Sequence, residues 1–458
     1  MSIKNTARYT GRVRRLPWVC DRALLPYRLA RARARQTFIE ERDAGAPLIV
    51  DAFRCDFPEG EAAYNGLGRG HDGTIYFAVS TKSITPGRLF AFDPRTGAVD
   101  LVTDLDSAFP SSGVRAIPHG KVHVDLSPAD NRLYGATHVG YYERGGTRER
   151  PAAAPGYAPY PGGWIFALEG RHVRRCAQAP AGEGIIAMTV DAARGRAVAL
   201  TWPAGRLLAA DLASGRITDH GAAMGAGESG SPTDGAWQRV CRSIAVHPES
   251  GHAFWSDERG VIWRFAGGAT EPCARLPVAD IWRKVSWHAE RRVFVGWTWR
   301  DALLFTFDPA AADCRALTTL AAPGGGGRPA TLGFALSADA ARVHALARGP
   351  GLIRDGRIQL AESVSHLTFD LGSGTIISSG PLRTRDGRHV TQAQSLLLVD
   401  GHAYAVAWVE VPATERSAYA AALRARRRDD PASRAQGYVE EIALIRFPAG
   451  GDRGPCAS

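Results

Sequence analysis

Two histidines in this sequence are spaced so that neighbouring strands could bring them together. His123 lies in one apolar segment, and His138 lies in the next, across a turn rich in Asp and Asn. The ordinary pKa of imidazole lies near neutral pH, so two such rings could accept and donate protons in one reaction. A histidine in a strand is also often structural, and the sequence leaves both roles open.

Cationic and aromatic residues recur at similar positions, at the ends of short apolar segments. Guanidinium groups bind carboxylates with two parallel hydrogen bonds, and aromatic rings beside polar groups suit sugars. The pattern indicates a pocket for an anionic, carbohydrate-like small molecule or oligosaccharide. The catalytic candidates are His123, His138, Tyr142 and Arg242, and the candidate binding residues are Arg239, Arg283, Lys284, Trp202, Trp299 and Gln394.

These candidates also have structural explanations. The tryptophans end apolar segments and could pack between repeats. Tyr142 could pack a long insertion, and the arginines could pair with Asp257 or Asp280. The remaining strand histidines, His247, His252, His288 and His344, are expected at surfaces or turns.

An internal repeat positions the candidates. Each unit contains two apolar strands joined by a turn with Asp, Gly or Pro, then a third strand ending in an Asp/Gly turn. From residue 48 onward each unit takes about sixty residues. The first two strands recur at Gly66–Ser80, Val122–His138, Ile185–Trp202, Val240–Asp257, Val285–Trp299, Leu332–Arg348 and Ser395–Trp408.

One four-stranded unit cannot bury both of its faces, whereas units stacked radially can. The sequence therefore predicts an all-β, seven-bladed β-propeller over residues 47–458. The last copy lacks a fourth strand, and we expect Leu48–Phe57 to supply it by pairing beside Ile442–Phe447. A parallel β-helix and a β-sandwich are the alternatives, and the turns favour a propeller over both.

Propeller geometry brings the start of each first strand and the end of each second strand to one face. The candidate residues therefore converge around the central channel. Two insertions would rise over the same face. They are a Gly/Pro/Tyr-rich segment, Val139–Gly163, and a helix in the last blade, Pro412–Arg428.

Charge is concentrated at the N-terminus. The chain has a net charge of +10, and residues 1–46 carry eleven Lys/Arg against four Asp/Glu, an excess of +7. We expect a basic, partly helical extension here, especially over Asp21–Arg42. A solvated arginine-rich face is the plain interpretation, and contact with nucleic acid or an anionic membrane is the alternative. The rest of the chain lacks a basic–aromatic array, so neither nucleic acid nor a membrane is expected as a partner.

Cysteine usage and hydropathy disfavour disulfide-bonded, zinc-binding, secreted and membrane-spanning classes of protein. The seven cysteines are odd in number and form no CxxC pair, which disfavours a disulfide framework and a structural zinc site. No metal or cofactor is expected. No secretory signal and no run of about 18 apolar residues occurs, so a cytoplasmic location is expected. The oligomeric state stays open.

Four segments of the second and third units are distinctive. They read KVHVDLSPADNRLYGATHVGYY (Lys121–Tyr142), YPGGWIFAL (Tyr160–Leu168), GEGIIAMTVD (Gly182–Asp191) and TWPAGRLLAADLASG (Thr201–Gly215). They resemble a bacterial group of seven-bladed propellers related to the ulvan lyases and to enzymes acting on rhamnose–glucuronate linkages.

The resemblance implies a site with two histidines on blade two and a tyrosine and an arginine on blade three. His123 and His138 match the histidines, whereas the other two positions fall near Met188 and Trp202. Tyr142 and Arg242 could substitute for the two missing residues from nearby.

The implied reaction is β-elimination at a uronate. Arg242 or Arg283 would neutralise the carboxylate, one histidine would take the C5 proton, and Tyr142 or the other histidine would protonate the leaving oxygen. A glycoside hydrolase and an enzyme of another class are alternatives. So is a non-catalytic propeller that binds a small anionic ligand or a protein partner.

Overall fold

The chain is nearly all β-strand in the part that the structure describes. A computed structural model describes residues 37–450, without residues 112, 146–147, 231–235, 323, 325–328, 356, 361, 413 and 416–439. Within these residues, four antiparallel sheets of four strands, one sheet of five and one of eight follow one another along the chain, consistent with a propeller. The predicted all-β class is confirmed, while the division into residues 1–46 and 47–458 stays a prediction.

The first half of the chain contains three of these sheets. Two strands come before them, β1 (Phe38–Glu40) and β2 (Leu48–Arg54). The first sheet has β3 (Leu67–Arg69), β4 (Ile75–Val79), β5 (Arg88–Phe92) and β6 (Val99–Asp104). The second has β7 (His119–Val122), β8 (Ser127–Ala129) and β9 (Arg132–Val139), a hairpin of β10 (Tyr142–Gly145) and β11 (Arg148–Pro151) outside the sheet, then β12 (Trp164–Glu169) and β13 (His172–Gln178). The third has β14 (Gly184–Asp191), β15 (Arg196–Trp202), β16 (Arg206–Asp211) and β17 (Ile217–Ala222).

The second half continues the same order. The fourth sheet has β18 (Ala245–Val246), β19 (Ala253–Ser256), β20 (Val261–Ala266) and β21 (Ala269–Arg275), and the fifth has β22 (Trp282–His288), β23 (Val293–Thr298), β24 (Leu303–Asp308) and β25 (Asp313–Thr319). Next come β26 (Ala330–Leu336), β27 (Arg342–Gly349), β28 (Gly351–Arg354), β29 (Arg357–Leu360), β30 (Ser363–Asp370), β31 (Ile376–Thr384), β32 (Val390–Val399), β33 (His402–Glu410) and β34 (Glu440–Pro448). The described helices are α1 (Leu105–Ala108) and three 3-10 turns at Glu41–Asp43, Ala192–Arg194 and Gly227–Ser229.

Burial follows the position of a strand within its sheet. Every residue of β4 is buried, whereas β21 is exposed or half-buried along its length. A strand covered on both faces needs apolar residues throughout, and an outer strand needs polar ones. Aspartates end three of the third strands, β16, β24 and β30. Asp211 accepts a hydrogen bond from Ser214 N at 2.7 Å, and Asp370 accepts one from Ser373 N at 2.8 Å.

Strand β2 connects the two ends of the described chain. It lies antiparallel to β34, with Ala52 opposite Ile445, and parallel to β31, with Leu48 opposite Leu382. The result is one eight-stranded sheet in the order β26-β27-β30-β31-β2-β34-β33-β32. The Arg54 guanidinium adds an ion pair of 2.7 Å with the buried Glu441.

The structure bears on two predicted helices and on the predicted positions of two histidines. Within the predicted helix Asp21–Arg42, residues 38–40 instead form β1, which pairs with β28 because Ile39 is buried against Leu352 and Leu360. Residues 21–36 of that helix, and nearly all of the helix expected at Pro412–Arg428, fall outside the described residues. His288 and His344 were expected at surfaces or turns, and this prediction was wrong because both are buried within strands, in β22 and β27.

Among the described residues, the cysteines are free and the helices are short. The five cysteines there, Cys55, Cys176, Cys241, Cys273 and Cys314, form no disulfides. None of the described helices has the length and apolar character needed to cross a membrane.

Buried histidines make the fold sensitive to acid. The pKa of His366 falls to about 3, first because of burial and then because of the neighbouring His344, whose Nδ1 lies 3.1 Å from His366 Nε2. Burial also lowers the pKa of His119 to about 3. Below about pH 6.5 the unfolded chain binds protons at these positions and the folded chain does not, so stability present above that pH is lost on acidification.

We predict that the unfolding temperature falls as the pH is lowered from about 7.5 to about 5. At about pH 5, one such histidine lowers the free energy of unfolding by about 2 kcal/mol. His366→Asn should make this loss of stability smaller, as measured by thermal unfolding across the pH range. His402→Asn, at an exposed position, is the control and should leave the slope unchanged. An unaltered slope in His366→Asn would contradict the assignment.

Candidate functional site

The two candidate histidines lie together near the inner strands of the second and third sheets. The ring centroids of His123 and His138 are 5.9 Å apart, with an edge-to-face angle of 74°. Only 5% of His123 and 3% of His138 is exposed. His123 Nδ1 donates to the carbonyl oxygen of Ile186 at 2.9 Å, which leaves Nε2 as its acceptor nitrogen. A Cβ at Gly184 would clash with His138 Nδ1, so this position needs glycine.

Both histidines are neutral at pH 7. Burial lowers the pKa of His123 well below its ordinary value, and the charges of Arg242, Lys121 and Arg283 lower it further. The pKa of His138 is lowered in the same way, by burial first and then by Lys121, His123 and Arg242. A neutral imidazole can accept a proton, but these cations make the pair weakly basic unless an anion offsets them.

Aromatic rings and a lysine surround the pair. The ring of Tyr64 lies 4.5 Å from that of His123, and Lys121 Nζ lies 3.9 Å from the ring centroid of Tyr142. Tyr64 was not among the residues predicted from the sequence. It comes just before β3, the first strand of its sheet, so the rule that strand starts converge would have found it had it been applied to the first repeat.

Arg242 is neutralised by an acid that the sequence analysis also missed. Its Nη1 forms an ion pair of 2.6 Å with Glu228, and both side chains are buried. Glu228 also accepts from Trp202 Nε1 at 3.1 Å and from Val240 N at 3.1 Å. It lies in the short 3-10 turn between the third and fourth sheets, where no repeat pattern marks it.

Arg283 differs from its neighbours. The residue is half-buried; within the described part of the chain its side chain has neither an ion pair nor a hydrogen bond, and its Nε is buried without a partner. Burial, and then the charges of Arg348, Arg242 and Arg239, lower the pKa of its guanidinium to about 9. The site therefore contains a cation that lies beside three others and has no described counter-ion. We call Arg239, Arg242, Arg283 and Arg348 the arginine cluster.

The other arginines of the cluster reach acids or aromatic rings. Arg239 Cζ lies 4.4 Å from the ring centroid of Trp299, and its Nε lies 3.6 Å from Glu258. Arg348 Nε lies 3.6 Å from Glu362. Trp299 keeps part of its ring exposed, so it is the candidate tryptophan that can meet a ligand.

Three predicted binding residues have protein partners. Trp202 is 2% exposed and packs edge-to-face against His138, with ring centroids 5.5 Å apart. Lys284 donates to Asp125. Gln394 Oε1 accepts from Leu332 N at 2.9 Å and thereby connects β32 to β26. These contacts explain the three side chains without a ligand.

The structure thus divides the candidates into two neighbouring groups. The first joins His123, His138, Tyr142 and Trp202, and the second is the arginine cluster with Trp299. The charges of Arg242 and Arg283 reach His123 and connect the groups. Among the described residues no three His, Cys, Asp or Glu side chains are placed to hold a metal.

Comparisons with known proteins identify the fold. No protein-family model and no curated protein matches the chain. Among solved structures, it is similar to the GH74 xyloglucanase from Xanthomonas campestris, with 14% identity and a TM-score of 0.50. That match covers 80% of this chain and 53% of the xyloglucanase chain.

Two further structures are similar over most of this chain. The β-propeller domain of Cps50 (Swd1) from Myceliophteria thermophila has 11% identity and a TM-score of 0.48, covering 78% of this chain and 96% of that chain. The extracellular domain of the putative one component system BT4673 from B. thetaiotaomicron has 11% identity and a TM-score of 0.47. That match covers 86% of this chain and 39% of that chain. The similar structures are β-propellers, and at these identities the likeness concerns the fold alone.

Proposed function

We propose that this protein is a seven-bladed β-propeller that binds an anionic carbohydrate at the arginine cluster. The order of the sheets supports the ring. Each sheet contacts the next one along the chain, and in the last sheet β32 contacts β3 while β33 contacts β4 of the first. The eight-stranded sheet counts as two blades, with β2 as the outer strand of the last.

Arg283 is the observation that carries the proposal. Arg283 is half-buried, with its Nε fully buried. A cation withdrawn from water without a counter-ion is costly, and three neighbouring cations add to that cost. A carboxylate would remove the cost and accept two hydrogen bonds from the planar guanidinium. Arg242 is already neutralised by Glu228, so we assign the principal contact to Arg283.

The surroundings favour a sugar acid over a simple anion. Trp299 and Tyr64 are both partly exposed, and each has a cation over its ring. Arg239 Cζ lies 4.4 Å from the ring centroid of Trp299, and Lys121 Nζ lies 5.4 Å from that of Tyr64. An aromatic ring offers an apolar face to the C–H side of a sugar, while nearby cations bind its carboxylate. The ligand class is therefore uronic acids and their oligosaccharides.

Binding of uronates should depend on Arg283. Arg283→Gln removes the charge and should weaken binding by about tenfold or more, as measured by titration calorimetry with a panel of uronic-acid oligosaccharides. The same variant should unfold at a higher temperature without ligand, because it removes a half-buried charge that has no described counter-ion.

Arg315→Gln is the matched control. Arg315 is exposed and pairs locally with Asp313 at 2.6 Å, so this variant should bind uronates as the wild type does. Equal affinity in Arg283→Gln and the wild type, or no uronate binding at all, would contradict the proposal.

A second candidate function is β-elimination at a uronate, by the reaction that the lyase resemblance implies. The neutral histidine pair beside Arg283 supports it. The ring of Tyr142 contacts the ring of Trp202. Arg242 pairs with Glu228, which accepts a hydrogen bond from Trp202. Tyr142 and Arg242 therefore approach the region where the lyase group has its tyrosine and arginine.

The bound carboxylate would offset the cations that lower the histidine pKa values, and so strengthen the base. In the reaction His123 Nε2 would take the C5 proton, and the electron pair of that C–H bond would form the C4–C5 double bond. The C4–O bond would break, and Tyr142 or His138 would protonate the leaving oxygen.

If elimination occurs, His123→Asn should lower kcat by at least about a hundredfold while binding of the uronate persists. The measurement is the rise in ultraviolet absorbance of the unsaturated product. Wild-type protein that binds uronates but gives no such rise across the panel would exclude elimination on those substrates and leave a binding propeller.

A further inference from the structure

A small polar cavity opens between the inner strands, next to the arginine cluster. Its volume is about 170 Å³, room for about six water molecules. The polar side chains that line it include Asn65, Asp125, Thr189, Arg242, Ser243 and Lys284. Arg242 belongs both to this wall and to the arginine cluster, so the cavity adjoins the proposed carboxylate position.

Asn65 is the unusual member of this wall. It is 3% exposed, and its Oδ1 is buried without a hydrogen-bond partner. Buried amide oxygens are nearly always paired, because leaving one unpaired costs free energy. The neighbouring Tyr64 packs on His123, which places this unused acceptor beside the candidate site.

We propose that the cavity is a subsite for the hydroxyl groups of the ligand whose carboxylate binds Arg283, and that Asn65 accepts a hydrogen bond from one of them. This inference rests on the proposed function. It adds that the protein recognises the hydroxyl groups of the uronate as well as its carboxylate, and it assigns Asn65 as a specificity-determining residue.

The charges of the wall support hydroxyl groups over other occupants. Lys284 and Arg242 disfavour a cation, and the carboxylate of Asp125 is already paired with Lys284. The polar side chains disfavour an apolar group. A hydroxyl group can donate to Asn65 Oδ1 and accept from a cation at once. The volume limits the occupant to about one sugar ring.

Three probes test the subsite by titration calorimetry. Glucuronate has both the carboxylate and the hydroxyl groups, cyclohexanecarboxylate has a ring and a carboxylate only, and glucose lacks the carboxylate. The wild type should bind glucuronate about tenfold or more tighter than cyclohexanecarboxylate. Asn65→Leu should abolish this preference by weakening glucuronate alone, whereas Arg283→Gln should weaken both acids.

Two further variants keep the test interpretable. Asn65→Ala replaces Asn65→Leu if the larger side chain prevents folding. Gln178→Leu removes an exposed amide from the outer strand β13 and should leave all affinities unchanged. Without ligand, Asn65→Leu should unfold at no lower temperature than the wild type, since Asn65 Oδ1 makes no hydrogen bond to lose.

Failure of the subsite and failure of the proposed function give different results. Equal affinity for both acids, unchanged in Asn65→Leu, would overturn the subsite and leave the arginine anchor in place. A marked loss of stability in both Asn65 variants without ligand would also overturn it, because it would indicate a structural role. If neither acid binds, both proposals are wrong.

Discussion

The pairing of β2 with β34 and β31 is the interaction on which the rest of the architecture depends. A four-stranded sheet with two apolar faces is stable only when neighbouring sheets cover both faces. Strand β2 joins residues near the start of the described chain to residues almost four hundred positions later. It thereby keeps the first and last sheets in contact and holds the inner strands around one centre.

The arrangement of the inner strands also determines which charged side chains lie near one another in the candidate site. Inner strands that converge bring their cationic side chains together, so lysines and arginines from separate sheets lie within reach of one another. Most reach an acid, as Arg242 reaches Glu228 and Lys284 reaches Asp125. Arg283 does not among the described residues, and this single imbalance is the reason for proposing a ligand site here instead of an ordinary network of ion pairs.

The same convergence explains the histidine pair. His123 and His138 are held by a backbone carbonyl and by close packing against Gly184 and Trp202. Packing of this kind is equally expected of structural histidines. The nearby charge of Arg283 is what suggests a chemical role, because an anion bound there would raise the pKa of His123, the ring that this charge reaches.

The sequence by itself determined the strand repeat, the all-β class and the proximity of His123 to His138, because strand periodicity and turn residues act over short distances. It also located the cationic residues that converge. It did not reveal that Trp202 and Gln394 are engaged within the protein, that His344 is buried, or that Arg283 lacks a described counter-ion. Those outcomes depend on acids, carbonyl groups and rings contributed by distant segments, such as Glu228 in an irregular connection. Only the tertiary structure decided them, since the pairing of a buried charge is a property of its neighbours in space.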